Sequence, residues 1–234
     1  VRSKIRETVD DPETAELLCP KDYPIGAKRL CIDNGYYEMY NRDNVSLVDV
    51  KNAPISEFTE SGLQTADSSY DLDVIVSATG FDAVTGAMTR MDVEGIDGIT
   101  IKDKWRNGPT SYLGYMVAGF PNLFMIHGPL SPCALSQMIT AGEWQVDFVA
   151  SIVDDLEKCG ISRVDTTEEA ERKWAAEVNG AAAHTVHNLA DSWYNGGNIE
   201  GKKSDFMIYV GGFPRYRELS EAAVQNGYEG FVRA

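Results

Sequence analysis

The stretch Asp71-Leu72-Asp73-Val74-Ile75-Val76-Ser77-Ala78-Thr79-Gly80-Phe81-Asp82 restricts the possible folds of this chain more than any other. Val74, Ile75 and Val76 form a β-branched run, with acidic residues before it and a glycine after it. Such a run reads as a strand buried on both faces, which suits a parallel sheet better than a half-exposed hairpin. Ala78, Thr79 and Gly80 then remove side-chain bulk where the strand ends. A second backbone, or a pyrophosphate, can therefore approach the carboxyl edge of the sheet. On pattern alone, an ordinary strand-to-loop turn of small residues explains the stretch equally well.

The rest of the chain sets bounds. At 234 residues it is one large domain or parts of two. Hydrophobic content of 43% and a mean hydropathy of −0.27 describe a soluble globular protein, and no apolar run approaches a membrane span. The chain opens on Val1-Arg2-Ser3-Lys4-Ile5-Arg6, without the apolar core of a signal peptide, and reads as entered in its middle. A net charge of −15 argues against a nucleic-acid partner. In so acidic a chain the basic pairs Lys28-Arg29 and Lys202-Lys203 are the informative exceptions, although a solvated patch is the ordinary explanation of such a pair. Cys19, Cys31, Cys133 and Cys159 lack CxxC spacing, which implies free thiols in a reducing, cytoplasmic compartment and no zinc site.

Local signals place the elements. Asp11-Pro12-Glu13 starts a helix that ends before Pro20, and residues 23–26 form a turn that delivers Lys28-Arg29. Residues 45–50 and 55–58 alternate as short strands, and 120–129 reads as a second buried strand. Val146, Val149, Ala150, Val153 and Leu156 keep the spacing of one helical apolar stripe, which Gly160 ends. Thr166 and Glu169 have capping-box spacing before a helix through Trp174 towards Gly180, and a last helix from Arg217 stops at Asn226-Gly227. His184 and His187 read as surface histidines without a ligand cluster, and His127 as a satisfied core histidine. The glycine-rich loop around Trp193 reads as a mobile lid or as an exposed loop with a chance aromatic.

The stretch from Asp73 to Asp82 resembles the ATG motif of flavoproteins with two dinucleotide-binding domains, where it links the NADP-binding and FAD-binding domains. Pro24-Ile25-Gly26-Ala27-Lys28-Arg29-Leu30, Gly35-Tyr36-Tyr37-Glu38 and Asn41-Arg42-Asp43-Asn44-Val45 follow in order. Together they narrow the resemblance to the Baeyer–Villiger monooxygenases of the cyclohexanone and phenylacetone type. The resemblance implies that Arg29 is catalytic, its charge stabilising the anionic peroxyflavin, and that Lys28 reads the 2′-phosphate of NADP. Both roles suit the chemistry, a permanent guanidinium charge for an anion and an ammonium point charge for a phosphate. Thr79 and Gly80 fall on the cofactor-binding motif itself.

The segment Gly128-Pro129-Leu130-Ser131-Pro132-Cys133-Ala134-Leu135-Ser136-Gln137-Met138 resembles the family's flavin side. The resemblance puts Met138 against the isoalloxazine and Cys133, Ala134 and Leu135 around the ketone, with Cys133 standing where relatives more often have Ser. A helix amino end here also suits the negative charge of reduced flavin, although a plain β-α crossover needs no ligand. The segment from Ser192 to Lys203 resembles the family's mobile loop, whose tryptophan, here Trp193, contacts NADP; Glu200 stands where Pro is frequent.

The resemblance spans residues 24–231, yet the chain has no GxGxxG loop. The expectation is therefore an α/β two-dinucleotide-binding-domain flavoprotein fold of which only the C-terminal portions are present. Residues 1–25 would end a helical insertion, 26–82 would close the NADP-binding domain, and 83–234 would close the FAD-binding domain. The implied cofactors are FAD and NADP(H). The implied partners are a small-molecule ketone, O2 and the missing N-terminal part of the chain, with no nucleic acid and no membrane. An N- or S-oxygenating flavin monooxygenase and a non-catalytic flavoprotein-derived module are the alternatives.

Overall fold

The structure is a computed structural model that describes residues 1–132, 136–202 and 205–234. The chain divides into two compact units, Val1–Gly80 and Phe81–Ala234. Among the described residues, no helix is long and apolar enough to cross a membrane.

In the first unit, α1 (Arg2–Thr8) and α2 (Pro12–Leu18) pack Ile5, Val9, Ala15 and Cys19 into a small core, closed by Tyr37 and Tyr40. The Asp11 carboxylate caps α2 by accepting from the Thr14 amide at 2.7 Å, with Pro12 in the first turn, as the sequence predicts. That hydrogen bond holds the Asp11 carboxyl below its ordinary pKa. Asn41 ties the tyrosine-rich segment to the α1–α2 turn, accepting from the Asp10 amide at 2.9 Å and donating to the Thr8 carbonyl at 2.7 Å.

A three-stranded antiparallel meander follows, β1 (Ile55–Thr59), β2 (Gly62–Thr65) and β3 (Ser69–Asp71). Gly62 opens β2 because a Cβ there would lie 1.9 Å from the Tyr70 carbonyl oxygen. Residues 45–50 take no strand conformation. The expected buried strand at 74–76 is not one either. Val74 and Val76 are 75% and 82% exposed, and the run joins no ladder. A β-branched run favours extended backbone, but a strand also needs a neighbour whose amides and carbonyls complete the ladder, and β1–β3 do not extend to it.

In the second unit, short helices α3 (Gly86–Thr89) and α4 (Ile101–Lys104) precede α5 (Met138–Lys158), β4 (Val164–Thr166), α6 (Glu168–Ala182), α7 (Phe213–Gln225) and β5 (Phe231–Arg233). β4 and β5 pair antiparallel. The main core joins α5, α6 and α7 through Phe148, Ile152, Trp174, Val178, Tyr209 and Tyr216. Four sequence expectations are corrected here. Residues 120–129 form no strand, because Asn122 and His127 take left-handed backbone (φ 61° and 57°) and break the extended path. α5 lies where predicted but is turned: Ala141, Gln145, Phe148, Ile152 and Leu156 are buried, while Val146 and Val153 are 52% and 39% exposed. The helix carries two apolar stripes, and the one with the larger side chains, Phe148 and Ile152, packs inward. Thr167, not Thr166, caps α6 by accepting from the Ala170 amide at 3.1 Å. Thr166 belongs to β4 and donates to the Gly230 carbonyl at 2.7 Å, so the capping-box spacing is one residue out of phase. α7 begins at Phe213, four residues before Arg217, with Pro214 in its first turn, and stops at Asn226 and Gly227 as expected.

Candidate functional site

The first unit displays Lys28-Arg29 directly after a tight turn. The Ala27 amide donates to the Pro24 carbonyl at 3.2 Å, Ala27 is fully buried, and Gly26 takes the left-handed φ of 87° that the turn requires. With Ala27 as the anchor, Lys28 is half-buried and Arg29 is exposed. The Lys28 ammonium lies 4.5 Å from the centre of the Tyr23 ring, a cation–π contact that restrains it. Thr79 and Gly80 are exposed at the end of the unit, and Gly80 has φ 90°, a conformation that side chains disfavour.

The second unit places Met138 as the first residue of α5, half exposed, next to the N-cap Gln137, whose side chain accepts from the Thr140 amide at 2.6 Å. His127 sits beneath this helix start. Its Nε2 lies 2.9 Å from the Met138 carbonyl, and its ring occupies the space left by Gly142, where a Cβ would come within 2.9 Å of Nε2. Nε2 is therefore the protonated nitrogen. Among the described residues His127 Nδ1 is buried without a hydrogen-bond partner, so the expectation of a satisfied core histidine holds there for one ring nitrogen only.

The His127 amide donates to Gln145 Oε1 at 2.8 Å, Gln145 Nε2 donates to the Tyr216 hydroxyl at 3.3 Å, and that hydroxyl donates to the Leu113 carbonyl at 2.6 Å. Burial pushes the Tyr216 phenol well above its ordinary pKa, so it remains a neutral donor. This chain of bonds fixes the start of α5 against α7. A clue was available in the sequence: Gln145 is the one polar residue in the series Ala141, Gln145, Phe148, Ile152. Cys133, Ala134 and Leu135 lie outside the described residues.

Trp193 is half-buried and meets Tyr194 edge-on, with ring centres 4.5 Å apart. Its loop is built around Asn195, whose Oδ1 accepts from the Ser192 and Gly197 amides (3.0 and 3.1 Å) while Nδ2 donates to the Ala190 carbonyl (3.1 Å). His187 contributes aromatic packing to the same region, edge-on to Tyr194 and stacked on Phe206. Among the described residues, no hydrogen bond or ring contact joins Met138 to Trp193. A cleft of about 500 Å³ beside Trp174 and Phe231 contains none of the predicted site residues.

No family model matches the chain. It is 42% identical over 234 residues to a Baeyer–Villiger monooxygenase of Pseudooceanicola batsensis, covering 100% of this chain and 42% of that protein. It is 39% identical over 232 residues to the cyclohexanone 1,2-monooxygenase of an Acinetobacter species, covering 99% of this chain and 42% of that protein. Among solved structures, it matches the crystal structure of OTEMO in complex with FAD and NADP with a TM-score of 0.93 and 41% identity. That match covers 100% of this chain and 43% of the other. The chain thus spans less than half the length of the relatives it matches. In sequence and in fold it belongs to the Baeyer–Villiger monooxygenases, α/β flavoproteins with two dinucleotide-binding domains, as a segment of such an enzyme.

Proposed function

We propose that this chain is the C-terminal segment of an FAD- and NADPH-dependent monooxygenase that inserts one oxygen atom from O2 beside a ketone carbonyl, giving an ester or lactone. The observation that carries this reading is the Lys28-Arg29 pair, which directly follows the buried Ala27 turn in a chain of net charge −15. The residues fit an anionic dinucleotide and a flavin. Two cations stand side by side, Gly80 clears the backbone at φ 90°, and the 21-residue helix α5 starts at an exposed methionine. FAD, when bound and reduced by NADPH, supplies the electrons that activate O2.

In this reading Arg29 places a permanent positive charge where negative charge develops on the flavin, and Lys28 binds the 2′-phosphate of NADP. Thr79 and Gly80 admit the cofactor, Trp193 offers it a flat face, Met138 lies against the flavin ring, and Cys133, Ala134 and Leu135 border the ketone. Residues 26–82 then belong to the NADP-binding domain and 83–234 to the FAD-binding domain, with 1–25 closing a helical insertion. The free thiols of Cys19, Cys31 and Cys159 support a reducing cytoplasm as its location.

The test is cofactor choice. In the complete enzyme, Lys28→Ala should raise KM for NADPH about tenfold or more, the loss of roughly one charge-assisted phosphate contact, and leave KM for NADH unchanged. An unchanged preference for NADPH over NADH would remove Lys28 from the cofactor site.

A further inference from the structure

We propose that Lys202 and Asp82 form a clasp that fastens the Trp193 loop to the segment following Gly80, which makes Lys202 a positioning residue for that tryptophan. The functional part of this proposal rests on the reading of Trp193 as a cofactor contact; the clasp itself does not.

The Lys202 ammonium lies 2.5 Å from Asp82 Oδ1 and 2.7 Å from Thr85 Oγ1. The pair is withdrawn from solvent, with side chains 20% and 31% exposed, and Thr85 beneath it is 3% exposed. A second tie runs in parallel, from Asn198 Nδ2 to the Phe81 carbonyl at 3.1 Å. Two residues of one loop thus grip consecutive residues of one segment, more than 110 positions earlier in the chain (|i−j| 117 and 120).

Glycines on both sides leave room for this contact. A Cβ on Gly196 would stand 3.0 Å from Lys202 Cε, so the lysine stem packs directly against this glycine and a side chain there would push it aside. A Cβ on Gly86 would stand 2.8 Å from Asp82 Cγ, so the carboxylate also depends on a glycine for its place. The glycines of this loop therefore do more than supply hinges: they shape a path for a charged side chain. An ammonium donates in several directions, which suits the two oxygens of Asp82 and Thr85.

Between the Asn195 hub and the Lys202 clasp the loop has little freedom. The Asp205 amide donates to the Asn195 carbonyl (3.0 Å) and the Met207 amide to the Tyr194 carbonyl (2.9 Å), so the two ends of the loop are stitched to each other. Releasing Lys202 should loosen this stitching and with it the orientation of Trp193.

Amide hydrogen exchange in the complete enzyme is the test. Lys202→Met should speed exchange at Asn195, Gly197, Asp205 and Met207 about tenfold or more, while α5 and α6 amides stay as in the parent chain and report that the fold is intact. The charge-exchanged pair Asp82→Lys with Lys202→Asp should recover part of the protection. Unchanged exchange in Lys202→Met would overturn the clasp. In the complete enzyme, Lys202→Met should also raise KM for NADPH several-fold. Faster exchange with an unchanged KM would cancel the positioning role and trace the failure to the cofactor reading of Trp193.

Discussion

Arg29→Ala in the complete enzyme is expected to leave flavin bound and to abolish ester formation. In the proposed reaction Arg29 would supply a stable positive charge to a bound flavin that becomes anionic. Removing one such preorganised group typically costs roughly a hundred- to a thousandfold in turnover. Arg29 is exposed on a segment whose anchor is the buried Ala27, so its loss should disturb the fold little. Consumption of NADPH should therefore continue, with reducing equivalents passing to O2 without entering the ketone. Arg29→Lys should recover only part of the activity, because a compact ammonium does not reproduce the reach and spread charge of a guanidinium. The measurement is product per NADPH consumed, and a variant that makes ester at the parental ratio would remove Arg29 from the reaction.

Trp174→Ala should cause the largest loss of stability. Trp174 is 4% exposed in the main core, stacks on Tyr209 with ring centres 5.2 Å apart, and donates from Nε1 to the Leu130 carbonyl at 3.1 Å. Truncating a buried tryptophan costs about 3–5 kcal/mol, and the carbonyl left without its donor adds to this if water does not reach it. At about 2–4 °C per kcal/mol for a unit of this size, the melting temperature should fall by roughly 10 °C or more. The Leu130 carbonyl lies in the turn closed by the Ser131 amide and the Gly128 carbonyl, so the same change should loosen that turn. Trp174→Phe keeps most of the packing and loses the hydrogen bond, and should cost clearly less. A thermal melt of Trp174→Ala within a degree or two of the parent would contradict the placement of this side chain at the centre of the core.

The elements legible in the sequence are those fixed by local chemistry. Asp11-Pro12 specifies the start of α2 through one side-chain acceptor and one fixed φ, and Asn226-Gly227 specifies the end of α7 in the same local way. The misreadings concern partners. Residues 74–76 have the composition of a strand, but strand formation depends on a neighbouring ladder, which no pattern within the run can supply. The rotation of α5 was decided by which of two apolar stripes carried the bulk to fill the core. Of the proposed site residues, Lys28 and Arg29 stand out because adjacent cations in an acidic chain are conspicuous. The tie from Lys202 to Asp82 is not legible because it joins residues 120 positions apart, although Lys202 belongs to one of the two basic pairs. The His127–Gln145–Tyr216 relay was hidden for the same reason, with only the polar Gln145 on an apolar stripe as a trace.

The fate of molecular oxygen in the complete enzyme tests the central claim most directly. The enzyme would be given FAD, NADPH, isotopically heavy O2 and a panel of cyclic, linear and aryl ketones, and the products weighed by mass spectrometry. The account predicts an ester or lactone carrying one heavy oxygen atom, formed only with NADPH present. Ketones returned unchanged by an enzyme that oxygenates amines or sulfides, or that oxygenates nothing, would contradict it.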